Sequence, residues 1–285
     1  MKVFFKQTTG YPHVINRHLL ALLLSALAGL LVYREAIVSV AAHVLNRGDS
    51  SHGVFVPPLT LFFFWTIRDR IRDTPLERCW YGLPLIIAAL LPALVGPDSF
   101  QVQFMAYIGL LCALVLTLLG PAMFKATAFP ILFLIVMTPL PEQFYLDVAE
   151  LSRTIAFAGS VKIISWLGIP HIRSHWYLEL PNALLHIDYS CSGIRYLISF
   201  VVFGLAYAYL FRETTRGRIL TVLATIPISI MASIGRLTII FVMTHYISPF
   251  WSQRQPHIIL SWFVFFAVLF GSIFIDQWVQ AKKGR

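Results

Sequence analysis

The chain has 285 residues, of which 58% are hydrophobic and 12% charged, and it carries a net charge of +9. That balance excludes a water-soluble globular protein, since several runs approach the roughly 20 apolar residues that one bilayer crossing needs. The positive charge does not point to nucleic acid, because the basic residues gather between the apolar runs, as lysine and arginine do on the cytoplasmic side of membrane proteins.

A basic arm over residues 1–17 precedes a first span at about 18–40. That run has no small-residue cleavage site after it, so it reads as a retained helix. A polar loop over 46–53 leads to a second apolar run at 54–67, where Pro57 and Pro58 suit the first turn of a helix. The densest basic cluster follows, with Arg68, Arg70, Arg72 and Arg78. Spans three to five are expected at about 80–96, 104–123 and 126–140, with Lys125 between the last two.

Residues 141–190 differ in character and read as an extracytoplasmic insertion. Val148, Leu151, Ile155 and Ala158 recur at helical spacing while Asp147, Glu150 and Arg153 lie elsewhere, so 145–167 reads as an amphipathic helix on the membrane surface. Residues 176–189 alternate loosely around Pro181-Asn182, which suggests a small β-hairpin. Spans six to eight are expected at about 193–211, 219–247 and 257–279, with Arg212, Arg216 and Arg218 after the sixth and Lys282, Lys283 and Arg285 at the end. The expectation is an all-α polytopic membrane protein of one domain, with about eight transmembrane helices, a surface amphipathic helix and a small extracytoplasmic hairpin. Placing both termini in the cytoplasm keeps most of the 22 lysines and arginines there.

The stretch Ile187-Asp188-Tyr189-Ser190-Cys191-Ser192-Gly193 is a polar break feeding the sixth span. A cysteine near a helix N-terminus is favoured as thiolate by unpaired N–H groups and the helix dipole. Gly193 would let a substrate backbone come close. A buried structural cysteine is the alternative reading. Arg236 lies within the seventh span, where a charge is costly and usually faces a bundle interior. Thr225, Ser229, Ser233 and Arg236 form a polar stripe at helical spacing, against the alternative of an arginine snorkelling to the outer headgroups. His52, Cys191, Arg236 and His257 then share the outer level. A histidine can move the proton for cysteine attack on a carbonyl, and a guanidinium can hold developing oxyanion charge. His245 is nine residues from Arg236, about 900° of rotation, and so faces away from the stripe. The three cysteines have no paired spacing, and Cys79 and Cys112 fall in a cytoplasmic loop and the fourth span. His171, His175 and His186 sit in a proline-broken, strand-like stretch, so neither a metal nor another cofactor is expected.

Cys191-Ser192-Gly193-Ile194-Arg195 resembles the signature of the exosortase/archaeosortase family of integral-membrane cysteine transpeptidases. Ser233-Ile234-Gly235-Arg236-Leu237 and the histidine of His257-Ile258-Ile259-Leu260-Ser261-Trp262 are similar to its second and third motifs, and Ser51 to Pro58 to its N-terminal region. The likeness runs over about 45–275, and a histidine at the third motif resembles the bacterial branch. Gly235 departs from the pattern, standing where asparagine is expected. The resemblance implies Cys191 as nucleophile, His257 as general acid/base and Arg236 as electrostatic stabiliser, with Ser192, Gly193, Arg195, His52 and Ser233 around the substrate. It implies exported protein substrates with a C-terminal tail: a motif such as Pro-Glu-Pro, a transmembrane helix and a basic end. The acyl group would pass to an acceptor such as a glycolipid or polysaccharide at the periplasmic face of a bacterial inner membrane. Three rivals stay open: a cysteine protease that only hydrolyses, a transporter with Arg236 lining an anion path, and a structural subunit of an export complex.

Overall fold

The structure is a computed structural model that describes residues 12–46, 48–96, 99–189 and 192–283. It is mostly helical and divides into two units, one ending at Pro139 and one starting at Leu140. The first holds α1 (Pro12–Val32), α2 (Arg34–Asn46), a 3-10 segment (Gly48–Phe55), α3 (Val56–Thr66), α4 (Arg68–Asp73), α5 (Gly82–Val95), α6 (Phe100–Leu119) and α7 (Pro121–Phe133), which runs on into a 3-10 turn (Leu134–Met137). The second holds α8 (Glu142–Trp166), strands β1 (Ile172–Ser174), β2 (Tyr177–Leu180) and β3 (Ala183–His186), then α9 (Ile194–Phe211), α10 (Thr215–Tyr246), a 3-10 turn (Pro249–Ser252) and α11 (Arg254–Lys283).

Among the described residues, four helices are long and apolar enough to cross a bilayer: α6, α9, α10 and the 259–278 stretch of α11. The number reaches six if two bent helix pairs each count as one span. The chain is therefore a polytopic membrane protein. The expected first span is not one rod. It breaks at Tyr33 into α1 and α2, inclined at 73°. Tyr33 is fully buried, and its hydroxyl donates to the Ala89 carbonyl of α5, which pins the bend. The expected second and third spans are short helices of 11 and 14 residues. At 1.5 Å per residue they reach roughly 17 and 21 Å, against a hydrocarbon core of about 30 Å. Glycine lets α5 lie close on α6: a Cβ on Gly82 would come within 2.1 Å of Thr117 Oγ1.

In the second unit α10 is the axis, 32 residues long and capped by the Thr214 hydroxyl, which accepts from the Gly217 N–H at 3.1 Å. Two small residues bring its neighbours in. A Cβ on Gly204 of α9 would meet Thr225 Cγ2 at 2.3 Å, and one on Gly159 of α8 would meet the Ile234 side chain at 2.8 Å. The Ser160 hydroxyl of α8 lies 3.0 Å from the Ile234 carbonyl. At the far end of α9, Arg212 pairs with Asp276 of α11, which also accepts from the Tyr207 hydroxyl at 2.7 Å.

The three strands form an antiparallel sheet in the order β1-β2-β3. β2 and β3 make the hairpin around Pro181-Asn182 that the alternation suggests, and β1 adds a strand that no sequence pattern announces. Leu178, Leu180 and Leu185 face inward and share a core with Phe157, Ile164, Leu237 and Phe241. The hairpin tip is tied to α10 by Asn182, whose side-chain amide donates to the Thr244 and His245 carbonyls at 2.8 and 3.2 Å. Helix α8 covers the expected amphipathic stretch, but with a different buried face. Ala149, Arg153, Ala156, Phe157, Ser160 and Ile164 point inward, while Leu151 and Ile155 are exposed. Small residues and Phe157, not Leu151 and Ile155, make the contact with α10.

The Gly204–Thr225 contact is testable by suppression. Gly204→Ala should cost about 1–3 kcal/mol through overpacking and lower the melting temperature in detergent. Thr225→Ser, which removes Cγ2, should restore most of it. An equal loss in the double variant would place the limiting contact elsewhere.

Candidate active site

The site is assembled from the end of the sheet and the start of α9. The Ile187 N–H donates to the Trp176 carbonyl at 2.8 Å, extending the β2–β3 pairing by one step, and the Ile187 side chain is buried. Arg153 of α8 then secures the following residues. Its guanidinium lies between two rings, 3.8 Å from the centre of Trp176 and 4.2 Å from that of Tyr189. Nη1 donates to the Ile187 carbonyl at 3.4 Å and Nη2 pairs with Glu150, one turn earlier. Such a cation, 6% exposed and flanked by aromatic faces, is worth about 2 kcal/mol or more when desolvated. The expectation that α8 simply puts its charges outside fails here, because Arg153 has aromatic partners that supply what water would.

Cys191, the expected nucleophile, and Ser190 before it lie outside the described residues. On the near side of them, the Ser192 N–H donates to the Tyr189 carbonyl at 3.1 Å, and the Ser192 hydroxyl accepts from the Ile194 N–H at 3.3 Å. Gly193 has φ of +74° and opens α9, its carbonyl taking the N–H groups of Tyr196 and Leu197. Only glycine fits, for a second reason besides φ: a Cβ there would fall 1.9 Å from Ser233 Oγ of α10. The residues directly after Cys191 therefore sit on α10 within one turn of Arg236.

Arg236 is 4% exposed, inside the bundle, so it does not snorkel to headgroups. Its guanidinium lies 5.1 Å from the ring centre of Tyr196 on α9, and Nη1 donates to Ser261 Oγ on α11 at 3.4 Å. Tyr196 closes the triangle, its hydroxyl donating to the Ser261 carbonyl at 2.6 Å. Three helices thus meet on one cation. The polar stripe at Thr225, Ser229 and Ser233 is buried with it, as its spacing suggests. The hydroxyls of Thr225, Ser229 and Ser233 donate to carbonyls of their own helix, at Val222, Ile226 and Ser229. They are small buried packing residues and not the lining of a polar path.

Of the other expected residues, position 257 is in the first turns of α11, one turn before Ser261 and on the same helix face. The His257 side chain lies outside the described residues. Arg195 is exposed. His52 is buried in the 3-10 segment of the first unit. Cys79 and Cys112 are free thiols. Among the described residues no group of three or more His, Cys, Asp or Glu side chains could hold a metal ion. A shallow depression of about 680 Å³ lined by Arg70, Asp73, Thr74, Pro75, Ala122 and Lys125 holds none of the candidate residues. Sequence reasoning missed Tyr196, Ser261 and Arg153. Two had a readable signal, since Tyr196 follows Gly193 by three positions and Ser261 follows His257 by four, both helical neighbours.

The sequence model of a family described as transmembrane exosortase matches residues 44–274. Neither the curated proteins nor the solved structures hold a match to the chain.

The Arg153 clamp predicts a stability loss. Arg153→Ala empties the slot between Trp176 and Tyr189 and should cost about 2 kcal/mol, read as a lower melting temperature in detergent. An unchanged melting temperature would mean that the segment before Cys191 is held by the sheet alone.

Proposed function

Because the chain belongs to the exosortase family, we propose that it is a membrane cysteine transpeptidase that removes the C-terminal sorting tail of exported proteins. The observation that carries this reading is the buried Arg236, held by α9, α10 and α11, with Gly193 packed against its helix.

The chemistry follows from the residue types. The Cys191 thiolate attacks the carbonyl carbon of the scissile peptide bond, and the oxygen takes up negative charge. Arg236 stabilises that oxyanion, or the carboxylate of the substrate motif, through paired N–H groups. The intermediate collapses with loss of the amine, to which His257 gives a proton, leaving an acyl-thioester on Cys191. An acceptor nucleophile then loses its proton to His257, attacks the thioester and releases the thiolate. Ser192, Gly193 and Ser233 shape the floor of the site, while Arg195 contacts the substrate farther out. No metal or cofactor is needed in either half.

The matching topology has eight crossings, both termini cytoplasmic, and the sheet and site at the periplasmic face of a bacterial inner membrane. It is supported by the basic residues around Arg70, Lys125 and Arg216, which lie between apolar runs where the positive-inside rule expects cytoplasmic loops. The acceptor class, glycolipid or polysaccharide, is part of the same proposal. A transporter is disfavoured by the stripe on α10, whose hydroxyls are used by their own helix.

The test is processing of a tailed substrate in cells. Cys191→Ala and His257→Ala should each leave the tail uncut, and His245→Ala should retain most processing. Product mass separates transfer from hydrolysis: an added acceptor is expected, and a bare carboxylate would reduce the enzyme to a protease. A dead His245→Ala with an active His257→Ala would move the acid/base role to the end of α10.

A further inference from the structure

The strand that leads to the nucleophile is an edge strand. β3 is last in the sheet, and among the described residues no strand lies beyond it. Its pairing register fixes which backbone groups are in use. Residues 176 and 187 form a hydrogen-bonded pair, through the Ile187 N–H and the Trp176 carbonyl. Hydrogen-bonded and non-bonded pairs alternate in an antiparallel ladder, so Leu178–Leu185 and Leu180–Ala183 are the next bonded pairs. Glu179–Leu184 and Tyr177–His186 are non-bonded pairs. On β2, the backbone groups of Tyr177 and Glu179 are turned toward β1, opposite Ser174 and Ile172. On β3, those of Leu184 and His186 are turned away from the sheet, with nothing in the ladder to receive them.

Both residues also present side chains outward. Leu184 is 68% exposed, and His186 is exposed with its ring 4.7 Å from that of Tyr177. The strand is fixed at both ends, by Asn182 on α10 and by Arg153 at Ile187, so the edge is rigid. His186 and Cys191 are five positions apart in the sequence.

We propose that the edge of β3 binds the substrate segment ahead of the scissile bond as an added antiparallel strand, through the main-chain groups of Leu184 and His186. The occupant is a short extended peptide. The two open positions span only about 7 Å, at roughly 3.4 Å per residue, which suits a motif of three or four residues better than another sheet. The register also selects a composition. Only every second peptide residue turns its N–H toward β3, and the residues between turn theirs away. Proline, which has no N–H, is therefore tolerated at alternate positions and excluded from the others. A Pro-x-Pro pattern fits this register with its central residue paired to the strand. The inference rests on the sorting reading above and names the part of the chain that holds the motif.

The test uses the full-length protein in detergent and a synthetic tail peptide carrying a proline-free motif, methylated at one backbone nitrogen at a time. Affinity, read by fluorescence anisotropy, needs no turnover. Loss should alternate along the series, with at least a tenfold weaker peptide at every second position. In the protein, Leu184→Pro removes an N–H that the ladder does not use, and should weaken the unmodified peptide at least tenfold and raise KM for a tailed substrate while kcat stays within twofold. Leu184→Ala should bind normally. A melting temperature for Leu184→Pro near the native value separates lost binding from lost folding, and should it not fold, the methylation series decides alone. Uniform effects along that series, or native affinity in a folded Leu184→Pro, would overturn the edge proposal. A wild-type protein that binds the peptide with the alternating pattern yet never cuts a tailed substrate would instead remove the sorting reading and leave the edge site standing.

Discussion

The second unit depends on how one guanidinium is buried. An arginine in a membrane bundle is expensive unless its charge meets partners that replace water. Arg236 meets the face of Tyr196 and the hydroxyl of Ser261, and Tyr196 in turn holds the Ser261 carbonyl. A slide of any one of α9, α10 and α11 past the others breaks two of these three contacts. The cation therefore fixes the register of three helices, and the same register brings Gly193 onto Ser233. A charge that stabilises an oxyanion works best when its position is set before the reaction begins. In the proposed reaction, the contacts that make Arg236 tolerable would also be the ones that aim it.

A second buried arginine does different work. Arg153 lies between Trp176 and Tyr189 and holds the chain between the sheet and Cys191 against α8. It faces rings and a backbone carbonyl, with Glu150 as its ionic partner. One arginine thus locks the helices of the unit and the other locks the approach to them. Between the two, the Ser192–Gly193 turn has little freedom, with its amide bonded back to Tyr189 and its glycine against α10.

Much of this was legible in the sequence, and what was not has a physical cause. Hydropathy alone placed the sixth and seventh spans within a few residues of α9 and α10, because long apolar runs bounded by arginines have few alternative readings. Helical spacing put Arg236 on the inner face with Ser233 and Ser229. The spacing does not say what the hydroxyls bond to, since a hydroxyl satisfied by its own helix looks identical in sequence to one lining a path. The break at Tyr33 falls inside the expected first span, just before Arg34 and Glu35, and its partner Ala89 is distant in the sequence. Arg153 was read as exposed because charge predicts exposure unless aromatic partners are known, and Trp176 and Tyr189 are more than twenty residues away. β1 is three residues long, too short for alternation to register.

The most direct measurement keeps the charge of Arg236 and changes only its shape. Lysine retains one positive charge but has neither the planar fork that binds an oxyanion or carboxylate in two places nor the flat face that stacks on Tyr196. Arg236→Lys should insert, hold a melting temperature within a few degrees of the native protein, and accumulate uncut tailed substrate. Native processing in that variant would contradict a catalytic role for the guanidinium and leave Arg236 as a structural cation of the bundle.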